Sequence, residues 1–483
     1  MTRKKFEYRG EFQRRGVSAI IHNKRLQFNV DMGLGKTVMT LLAIKKLLMA
    51  DMINKVLIVA PKRVAVDVWA DEVEKWDVLE GLEISTIVGD ERARIHAATR
   101  DVPIYTINYE NIDWLVAFLK QSKLKWQFDM VVADESTRLK AHRSHFRRVK
   151  SGKVVLYKTG GVRTNALAAN AFTNVKRWVN LTGTFCPNGL DQVWPQMWFV
   201  DGGKRLGRIY TDFIERWFRI GWSGYGTVPH DHSMGEIMAR IKDITFTLRA
   251  EDYLDLPEEV VNTIYIDLPP EVMSKYKAME KEMFVELDSR HIEVFTEGSK
   301  LGKCQQMANG AIYYDKEGNW SALHDVKIEA LKSVVEEAGG MPILVAYKYK
   351  SDLARLQKAF PKGRAFDKKA QTKKDFIAGK IPLLFLHPAS AGHGVDGLQE
   401  VTSIICFFSL DWNVEERLQA IGRIGRVRQV QSGHNRTVFV HQIVAAATVD
   451  ELILRSVTEG LSLEEALKQG FAENTKTQQW RSQ

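Results

Sequence analysis

The fold of this chain is decided by the stretch Asp31-Met32-Gly33-Leu34-Gly35-Lys36-Thr37. The stretch over residues 26–30 that precedes it predicts a buried strand, and a helix is predicted to start near Thr37. The two glycines permit a tight turn whose backbone N–H groups and helix N-terminus face an anion. Lys36 supplies a charge to the β/γ-phosphates of a nucleotide, and the Thr37 hydroxyl can ligate Mg²⁺. Met32, Gly33, Leu34, Gly35, Lys36 and Thr37 are therefore the predicted nucleotide-binding residues.

One position departs from the general phosphate-loop pattern, which has a glycine six residues before the lysine. Here that residue is Val30. The competing interpretation is an ordinary joint between a strand and a helix. Gly35-Lys36-Thr37 nevertheless falls between a predicted strand and a predicted helix, as the phosphate-loop motif requires, and this favours nucleotide binding.

Length and composition indicate a globular protein of several domains. The 483 residues are too many for one core, so two or three domains are expected. The hydrophobic content of 45% and charged content of 27% are ordinary for soluble proteins. No apolar run has the length of a membrane span, and residues 1–7 lack the apolar stretch of a secretory signal.

Charge and cysteine usage suggest a partner and a compartment. A net charge of +10 favours a polyanion such as nucleic acid. Cys186, Cys304 and Cys406 are too few and too scattered for a disulfide framework or a zinc cluster. We therefore expect a reducing, cytoplasmic location.

Strand-like runs alternate with helical patterns in two successive series, which predicts an α/β protein with parallel sheets. The first series places strands over 26–30, 56–60, 104–108, 130–133 and 177–181, and the second over 261–268, 343–347, 383–386, 403–408 and 437–444. We expect an N-terminal domain over 1–250 with a helical insertion over about 205–250, and a hinge over 251–260. A C-terminal domain over 261–473 with a helical insertion over about 270–325 and a flexible tail over 474–483 complete the prediction.

Two adjacent acids, Asp134 and Glu135, follow the apolar run 130–133. A strand end would bring both carboxylates beside the phosphate loop if the two strands are neighbours. Hydrolysis of a phosphoanhydride needs one carboxylate to hold Mg²⁺ and another group to position and deprotonate water. Asp134 suits the first role, as a magnesium ligand, and Glu135 the second.

Two arginines, Arg423 and Arg426, are three residues apart, a spacing that would place them on one helix face. An arginine that enters from a second domain can neutralise charge on a transferred phosphoryl group, typically worth about 10³–10⁵ in rate. A solvated basic helix face is the alternative.

A glutamine, Gln13, lies shortly before the phosphate loop. Its amide carries both a donor and an acceptor, which would match the edge of an adenine. A solvated helix residue is an equally acceptable interpretation.

Together these segments resemble the superfamily-two helicases and translocases, most closely the Swi/Snf-type motors. Residues 31–37 resemble motif I, 59–63 motif Ia, 134–137 the DExx box, 181–184 motif III, 390–394 motif V and 419–429 motif VI, in the family's order. The family usually has proline where Phe185 stands and glycine where Arg428 stands. These two departures bear on how hydrolysis is coupled to DNA rather than on ATP binding.

The resemblance implies two RecA-like lobes, ATP with Mg²⁺, and movement along duplex or branched DNA largely independent of its sequence. It implies catalytic roles for Lys36, Asp134, Glu135, Arg423 and Arg426. It also implies nucleic-acid contacts at Pro61, Lys62, Arg63, Lys140, Tyr347, Ser390 and Gly392. Short two-lobe forms occur in bacteriophages, so we expect a phage origin and a bacterial host cytoplasm.

Two other functions fit the same residues. One is a nucleic-acid-binding protein that uses ATP only as a switch, and the other is a motor whose track is RNA. A basic run between Arg138 and Lys153 is expected to touch phosphates, whereas a second run between Lys362 and Lys374 is interpreted as a solvated surface. Residues 154–164, two β-prone runs around a Thr-Gly-Gly turn, predict a hairpin suited to gripping DNA where its strands part.

Overall fold

Apolar runs of the sequence form the strands of two separate parallel sheets. The computed structural model describes residues 3–148, 154–220, 227–289, 300–367, 369–391 and 397–459. Two compact units divide the chain: Met1–Cys186, Leu190–Arg219 and Pro229–Leu254 form the first, and Pro187–Gly189, Ile220–Val228 and Asp255–Gln483 form the second. Among the helices of the described ranges, none combines the length and apolar character needed to cross a membrane.

The chain up to residue 254 contains α1 (Glu11–His22), β1 (Arg25–Val30), α2 (Lys36–Met49), β2 (Val56–Ala60), α3 (Trp69–Lys75), β3 (Ile84–Ile87), α4 (Glu91–Thr99), β4 (Ile104–Asn108), α5 (Ile112–Gln121), β5 (Met130–Asp134), β6 (Arg143–Arg148), β7 (Val154–Thr159), α6 (Val162–Asn170), β8 (Arg177–Thr182), α7 (Val193–Asp201), α8 (Tyr210–Trp217), β9 (Phe218–Ile220), β10 (Thr227–Pro229), α9 (Ser233–Ile241) and β11 (Thr245–Leu248). A turn of π-helix over Val64–Val68 leads into α3.

The sheet of the first unit has the order β11-β1-β8-β5-β2-β4-β3. Every neighbouring pair is parallel. Because the strands are parallel, their carboxyl ends align at one edge, where such sheets bind ligands. Strands β2, β4 and β8 are buried along their whole length, as expected for a sheet covered on both faces.

The strands that carry the phosphate loop and the acid pair are not neighbours, contrary to one possibility considered above. Strand β8 lies between β1 and β5 and pairs with both. Sequence order cannot reveal this arrangement, because β8 follows β5 in the chain yet inserts beside β1. The residues after β8 are therefore placed between the phosphate loop and Asp134.

Part of the predicted helical insertion over 205–250 is wrong. Helices α8 and α9 are present, but β11 joins the central sheet as its edge strand, with Gln27 opposite Thr245 and Val30 opposite Leu248. The run Thr245-Phe246-Thr247-Leu248 alternates polar and apolar residues, which suits an edge strand, but it is too short to stand out beside the helices.

The predicted hairpin over 154–164 is also wrong in its second arm. Strand β7 pairs antiparallel with β6, whereas residues 162–170 form α6. Gly160, with φ of 111°, ends the hairpin where a Cβ would lie 1.9 Å from the Ala141 carbonyl oxygen, so only glycine fits. A role in parting DNA strands stays a prediction, now for the β6–β7 hairpin.

The second unit contains β12 (Glu259–Ile266), α10 (Pro270–Ser289), α11 (Lys300–Asn309), β13 (Ala311–Tyr313), β14 (Trp320–Ala322), α12 (Val326–Glu337), β15 (Ile343–Ala346), α13 (Lys350–Ala359), β16 (Arg364–Ala365), α14 (Ala370–Ile377), β17 (Leu383–Leu386), α15 (Pro388–Ala391), β18 (Ile404–Phe407), α16 (Val414–Ile421), α17 (Arg426–Gln431), β19 (Val438–Ala445) and α18 (Val449–Glu459). The small β13–β14 hairpin lies inside the region expected to be helical. The predicted tail over 474–483 lies outside the described residues.

The main sheet of the second unit has the order β12-β19-β18-β15-β17-β16, again with every neighbouring pair parallel. Its central strands β15, β17 and β18 are fully buried and form the middle of the core. The predicted α/β class with two parallel-sheet lobes is thereby confirmed.

A buried ion pair joins two helices of the second unit. Lys327 on α12 and Asp450 on α18 are both fully buried, with 2.6 Å between Nζ and Oδ2. The ammonium also donates to Asn309 Oδ1 at 2.8 Å and to the Phe408 carbonyl at 3.3 Å, so its three N–H groups are all used. A buried charge is tolerated when all its hydrogen-bonding groups have partners. Removal of one member of the ion pair leaves the other charge buried and uncompensated, which is strongly destabilising.

Replacement of Lys327 by Met should lower the free energy of unfolding of the second unit by about 3–5 kcal/mol, because the Asp450 carboxylate would be left buried without its counter-ion. Lys332→Met is the matched control, since Lys332 lies on the same helix and pairs with Glu329 at 2.9 Å with both side chains exposed. We expect the control to cost below about 1 kcal/mol. Urea denaturation measures both, and equal effects would contradict the role of burial.

Candidate functional site

The loop after β1 adopts the conformation that a phosphate loop requires. Gly33 and Gly35 have φ of 89° and 90°, in the left-handed region that favours glycine. A Cβ at Gly35 would lie 2.8 Å from Gln13 Nε2. Helix α2 begins at Lys36, and Thr37 is its second residue, so both lie in the first helical turn. The N-terminus of this helix and the preceding backbone N–H groups form an anion site at the carboxyl edge of the sheet.

The Lys36 side chain bends back over its own loop. Its Nζ donates to the Val30 carbonyl at 2.6 Å. A Cβ at Gly183, just after β8, would lie 3.0 Å from Lys36 Nζ and 3.0 Å from Met32 Cγ. Gly183 therefore permits the segment after β8 to touch the phosphate loop, an approach that a side chain at this position would obstruct.

Gln13 lies against the phosphate loop rather than in solvent. It is 2% exposed. Its Oε1 accepts from the Arg9 backbone N–H at 2.9 Å, and its Nε2 donates to the Leu34 carbonyl at 3.0 Å. The interpretation of Gln13 as a solvated helix residue is wrong, because this face of α1 is buried against α2 and β1. Its contact with adenine stays a prediction.

Asp134 ends β5, and its carboxylate is held from two sides. The Trp69 indole N–H donates to Oδ2 at 3.2 Å, and the Glu135 backbone N–H donates to Oδ1 at 3.1 Å. Burial raises the pKa of Asp134 to about 6, although the Lys36 ammonium and the Trp69 hydrogen bond act in the opposite direction. The phosphate loop and the acid pair thus lie at the same carboxyl edge of the sheet, with β8 between their strands.

Glu135 has an unusual backbone conformation. Its φ and ψ are 55° and 60°, the left-handed region that a side chain rarely adopts, at a cost of roughly 1–3 kcal/mol. The buried Tyr109 hydroxyl, just after β4, donates to the Asp134 carbonyl at 2.9 Å and contacts the Glu135 carbonyl at 3.5 Å. The left-handed backbone at Glu135 changes the direction of the chain directly after β5. The Tyr109 hydroxyl holds this turn through the two backbone carbonyls.

Sequence reasoning missed the supporting roles of Trp69 and Tyr109. Trp69 is the first residue of α3, and its ring is fully buried. An indole N–H must find an acceptor when it is buried, which was the available signal. Tyr109 gave no signal, because its partner is a backbone carbonyl distant in sequence.

The prediction that Arg423 and Arg426 share a helix face is wrong. Helix α16 ends at Ile421, Arg423 lies in the following turn, and Arg426 is the first residue of α17 after the cap Gly425. The two glycines of Gly422-Arg423-Ile424-Gly425 interrupt the helix. Arg423 is 8% exposed, whereas Arg426 is part-exposed and its Nε lies 3.8 Å from Glu259. Both belong to the second unit.

The predicted nucleic-acid contacts follow strand ends in both units. Pro61, Lys62 and Arg63 directly follow β2, where Lys62 is exposed and Pro61 is buried. The exposed Lys140 lies in the short helix after Glu135. In the second unit, Tyr347 follows β15, with its ring edge-on to His387 and 5.8 Å between centroids. Gly392 and the side chain of Ser390 lie outside what the structure describes.

The donor set fits magnesium as it is held in nucleotide sites. Mg²⁺ takes one or two protein oxygens together with phosphate oxygens and waters. Thr37 and Asp134 supply a hydroxyl and a carboxylate, so these two residues would hold the ion. Across the described ranges, no group of three or more His, Cys, Asp or Glu residues forms an all-protein metal site.

These features define a phosphate-loop nucleotide-binding protein, with a loop lysine, an acid pair and a glycine that closes the site. The SNF2-related domain family matches residues 13–309, more than half of the chain. The chain belongs to the SNF2-related family, and this membership implies nucleotide binding and ATP hydrolysis.

Individual relatives extend the comparison. Protein p41 of the Acyrthosiphon pisum secondary endosymbiont phage 1 is 44% identical over 446 residues, which is 91% of this chain and 93% of that protein. The DNA excision repair protein ERCC-6-like of Mus musculus is 28% identical over 193 residues, 38% of this chain but 14% of that protein. The SWI2/SNF2 ATPase core of Sulfolobus solfataricus in complex with dsDNA aligns with a TM-score of 0.43 at 20% identity, covering 93% of this chain and 90% of that one.

The raised pKa of Asp134, about 6, predicts how stability depends on pH without nucleotide. The folded protein binds the proton more tightly than the unfolded chain, so this group stabilises the fold at low pH and loses that contribution as pH rises through 6. Asp134→Asn should therefore raise the melting temperature relative to wild type by a few degrees at about pH 8, with the gain shrinking towards about pH 4.

Asp129, the residue directly before β5, is the control, because its pKa is lowered where that of Asp134 is raised. Although burial opposes it, hydrogen bonds from Lys176 and the Asn54 backbone lower the pKa of Asp129. Asp129→Asn should be less stable than wild type at about pH 8, with the loss shrinking as pH falls. Melting curves in the absence of ATP and magnesium measure both. The same pH trend in both variants would contradict the assignment.

Proposed function

We propose that this protein is an ATP-driven motor that moves along double-stranded DNA. The observation that carries the proposal is the meeting of the loop lysine, the acid pair and Gly183 at one edge of the first sheet. Their loops follow β1, β8 and β5, which lie in this order in the sheet, and the Lys36 ammonium acts on the pKa of Asp134 against the effect of burial. A phosphate loop beside a strained glutamate is arranged for hydrolysis of a phosphoanhydride rather than for binding alone.

Each predicted site residue of the first unit has a defined task in the proposed reaction. Lys36 and the N-terminus of α2 bind the β- and γ-phosphates. Thr37 and Asp134 would hold Mg²⁺, which would supply positive charge to neutralise the phosphoryl group. Glu135 positions the attacking water and accepts its proton. Trp69 and Tyr109 hold the two acids in place, and Gln13 is proposed to contact the base.

Arg423 and Arg426 are proposed to complete the site from the second unit. A guanidinium beside the transferred phosphoryl group typically contributes about 10³–10⁵ in rate. Their positions in the turn after α16 and at the start of α17 give them different roles. The part-exposed Arg426 is the better candidate for direct contact with phosphate, and the buried Arg423 for support of the turn.

Three facts support DNA as the track. The net charge is +10. The exposed Lys62 and Lys140 follow β2 and β5, neighbouring strands of the same sheet, and so lie at the edge that carries the site. Two relatives carry the name DNA excision repair protein ERCC-6-like, and this name refers to action on DNA. The relative in a phage supports a phage origin, and we propose the bacterial host cytoplasm as the location.

Glu135→Gln should bind ATP as wild type does but lower kcat by about 10²–10⁴-fold, because the group that accepts the proton of water is lost while the phosphate contacts remain. Steady-state ATPase assays and equilibrium binding of a fluorescent ATP analogue measure the two effects. Glu91→Gln is the control, since Glu91 is an exposed residue at the start of α4, which packs on the edge strand β3. Turnover near the wild-type value would remove Glu135 from the reaction.

Duplex DNA should stimulate the ATPase more than single-stranded DNA or RNA does. Binding through phosphates should weaken at least about tenfold as salt rises from about 50 to about 200 mM, with little dependence on base sequence. ATPase assays with each nucleic acid, and titrations at several salt concentrations, measure these effects. An ATPase that no nucleic acid stimulates would favour the switch function, and preferential stimulation by RNA would favour the RNA motor.

A further inference from the structure

A network of buried amides connects the acid pair to the segment after β8. The central residue is Gln196, on α7 and fully buried. Its side chain lies between Ser136, which directly follows Glu135, and Phe185, which follows Thr182-Gly183-Thr184. The distances are 2.7 Å from Ser136 Oγ to Gln196 Oε1 and 2.8 Å from Gln196 Nε2 to the Phe185 carbonyl oxygen.

The chemistry of the partners fixes the direction of each hydrogen bond. A backbone carbonyl can only accept, so the amide nitrogen of Gln196 must face Phe185. The same nitrogen also donates to the Gln192 carbonyl at 3.0 Å. The amide oxygen must then face Ser136, whose hydroxyl therefore donates. A side chain without both a donor and an acceptor cannot make this bridge.

The bridge continues into the strands that carry the site. The Asn180 side chain on β8 donates to the backbone carbonyl of Gln196 at 2.9 Å and to Gln27 Oε1 on β1 at 2.9 Å. The Trp178 indole donates to Asn180 Oδ1 at 2.8 Å. Helix α7 is thus tied to the strand before the phosphate loop and to the strand before Gly183. Buried polar networks with every member satisfied hold one geometry.

From this network we infer that Gln196 is a positioning residue for hydrolysis, and this inference rests on the proposed ATPase function. Gln196 sets the distance between the strained Glu135–Ser136 turn and the Gly183 segment that touches Lys36. Glu135 and the phosphate loop are on strands separated by β8, so their relative placement depends on such a link. Displacement of a catalytic group by about 1 Å can reduce the rate by about 10²-fold.

Gln196→Leu keeps the size of the side chain and removes both hydrogen bonds of the bridge. We expect kcat to fall about tenfold, with KM for ATP and the affinity for a fluorescent ATP analogue within about twofold of wild type, because the phosphate loop itself is unchanged. Ser136→Ala removes only one hydroxyl and should lower kcat less. The double variant should be no slower than Gln196→Leu alone, because both changes break the same bond.

Ser85→Ala is the matched structural control. Ser85 on β3 is buried and donates to the Ala97 carbonyl at 2.8 Å, so its loss costs a buried hydrogen bond away from the site. It should lower the melting temperature but leave kcat unchanged. If Gln196→Leu does not fold, the Ser136→Ala variant decides. A Ser136→Ala variant with a normal kcat and a melting temperature near that of Ser85→Ala would overturn the inference.

Three results would overturn the inference while the proposed function stands. They are a normal kcat for Gln196→Leu, a change confined to KM, and strictly additive effects of the two substitutions. Failure of the proposed function is distinguishable, because wild type itself would then show no ATP hydrolysis. A loss of kcat in Ser85→Ala equal to that in Gln196→Leu would also count against a specific role.

Discussion

The first unit depends on the close approach of the Lys36 ammonium to Gly183. The sheet places β8 between the strands that carry the phosphate loop and the acid pair, so any residue after β8 stands between them. A Cβ at position 183 would lie 3.0 Å from Lys36 Nζ and 3.0 Å from Met32 Cγ, so both side chains would have to shift by a few tenths of an ångström. Absence of that side chain permits the lysine, the carboxylate of Asp134 and the segment after β8 to share one small volume.

This arrangement explains why the acids need external support. Burial disfavours the charged form of Asp134, and the backbone at Glu135 is strained. Each cost is offset by groups from other elements, namely the indole of Trp69, the first residue of α3, and the hydroxyl of Tyr109 after β4. The site is thus assembled from the ends of β1, β4, β5 and β8 together with α3, and its geometry depends on the register of the parallel sheet rather than on any one loop.

Most of the architecture could be predicted because its signals are local. Long apolar runs bounded by turn residues gave β1, β2, β5, β8, β15 and β18, and the Gly-Lys-Thr joint gave the start of α2. What failed required pairing information. The partner of β7 is a polar, basic strand before it, and β11 has four residues of no unusual hydrophobicity. Gln196 had no local signal, since its link to the acid pair is made with Ser136, which is 60 residues away in the chain.

The position of β19 has a consequence for how the second unit is made. This strand, Val438–Ala445, lies between β12 and β18, so the sheet stays divided until nearly the last described residues have left the ribosome. Until then β12 and β18 each lack the neighbour that β19 provides, and such edges are prone to aggregate. The first unit closes its sheet with β11, which ends at Leu248, while the rest of the chain is still being synthesised. Synthesis therefore exposes the two units to unequal risk of aggregation, and the risk is greater for the second unit.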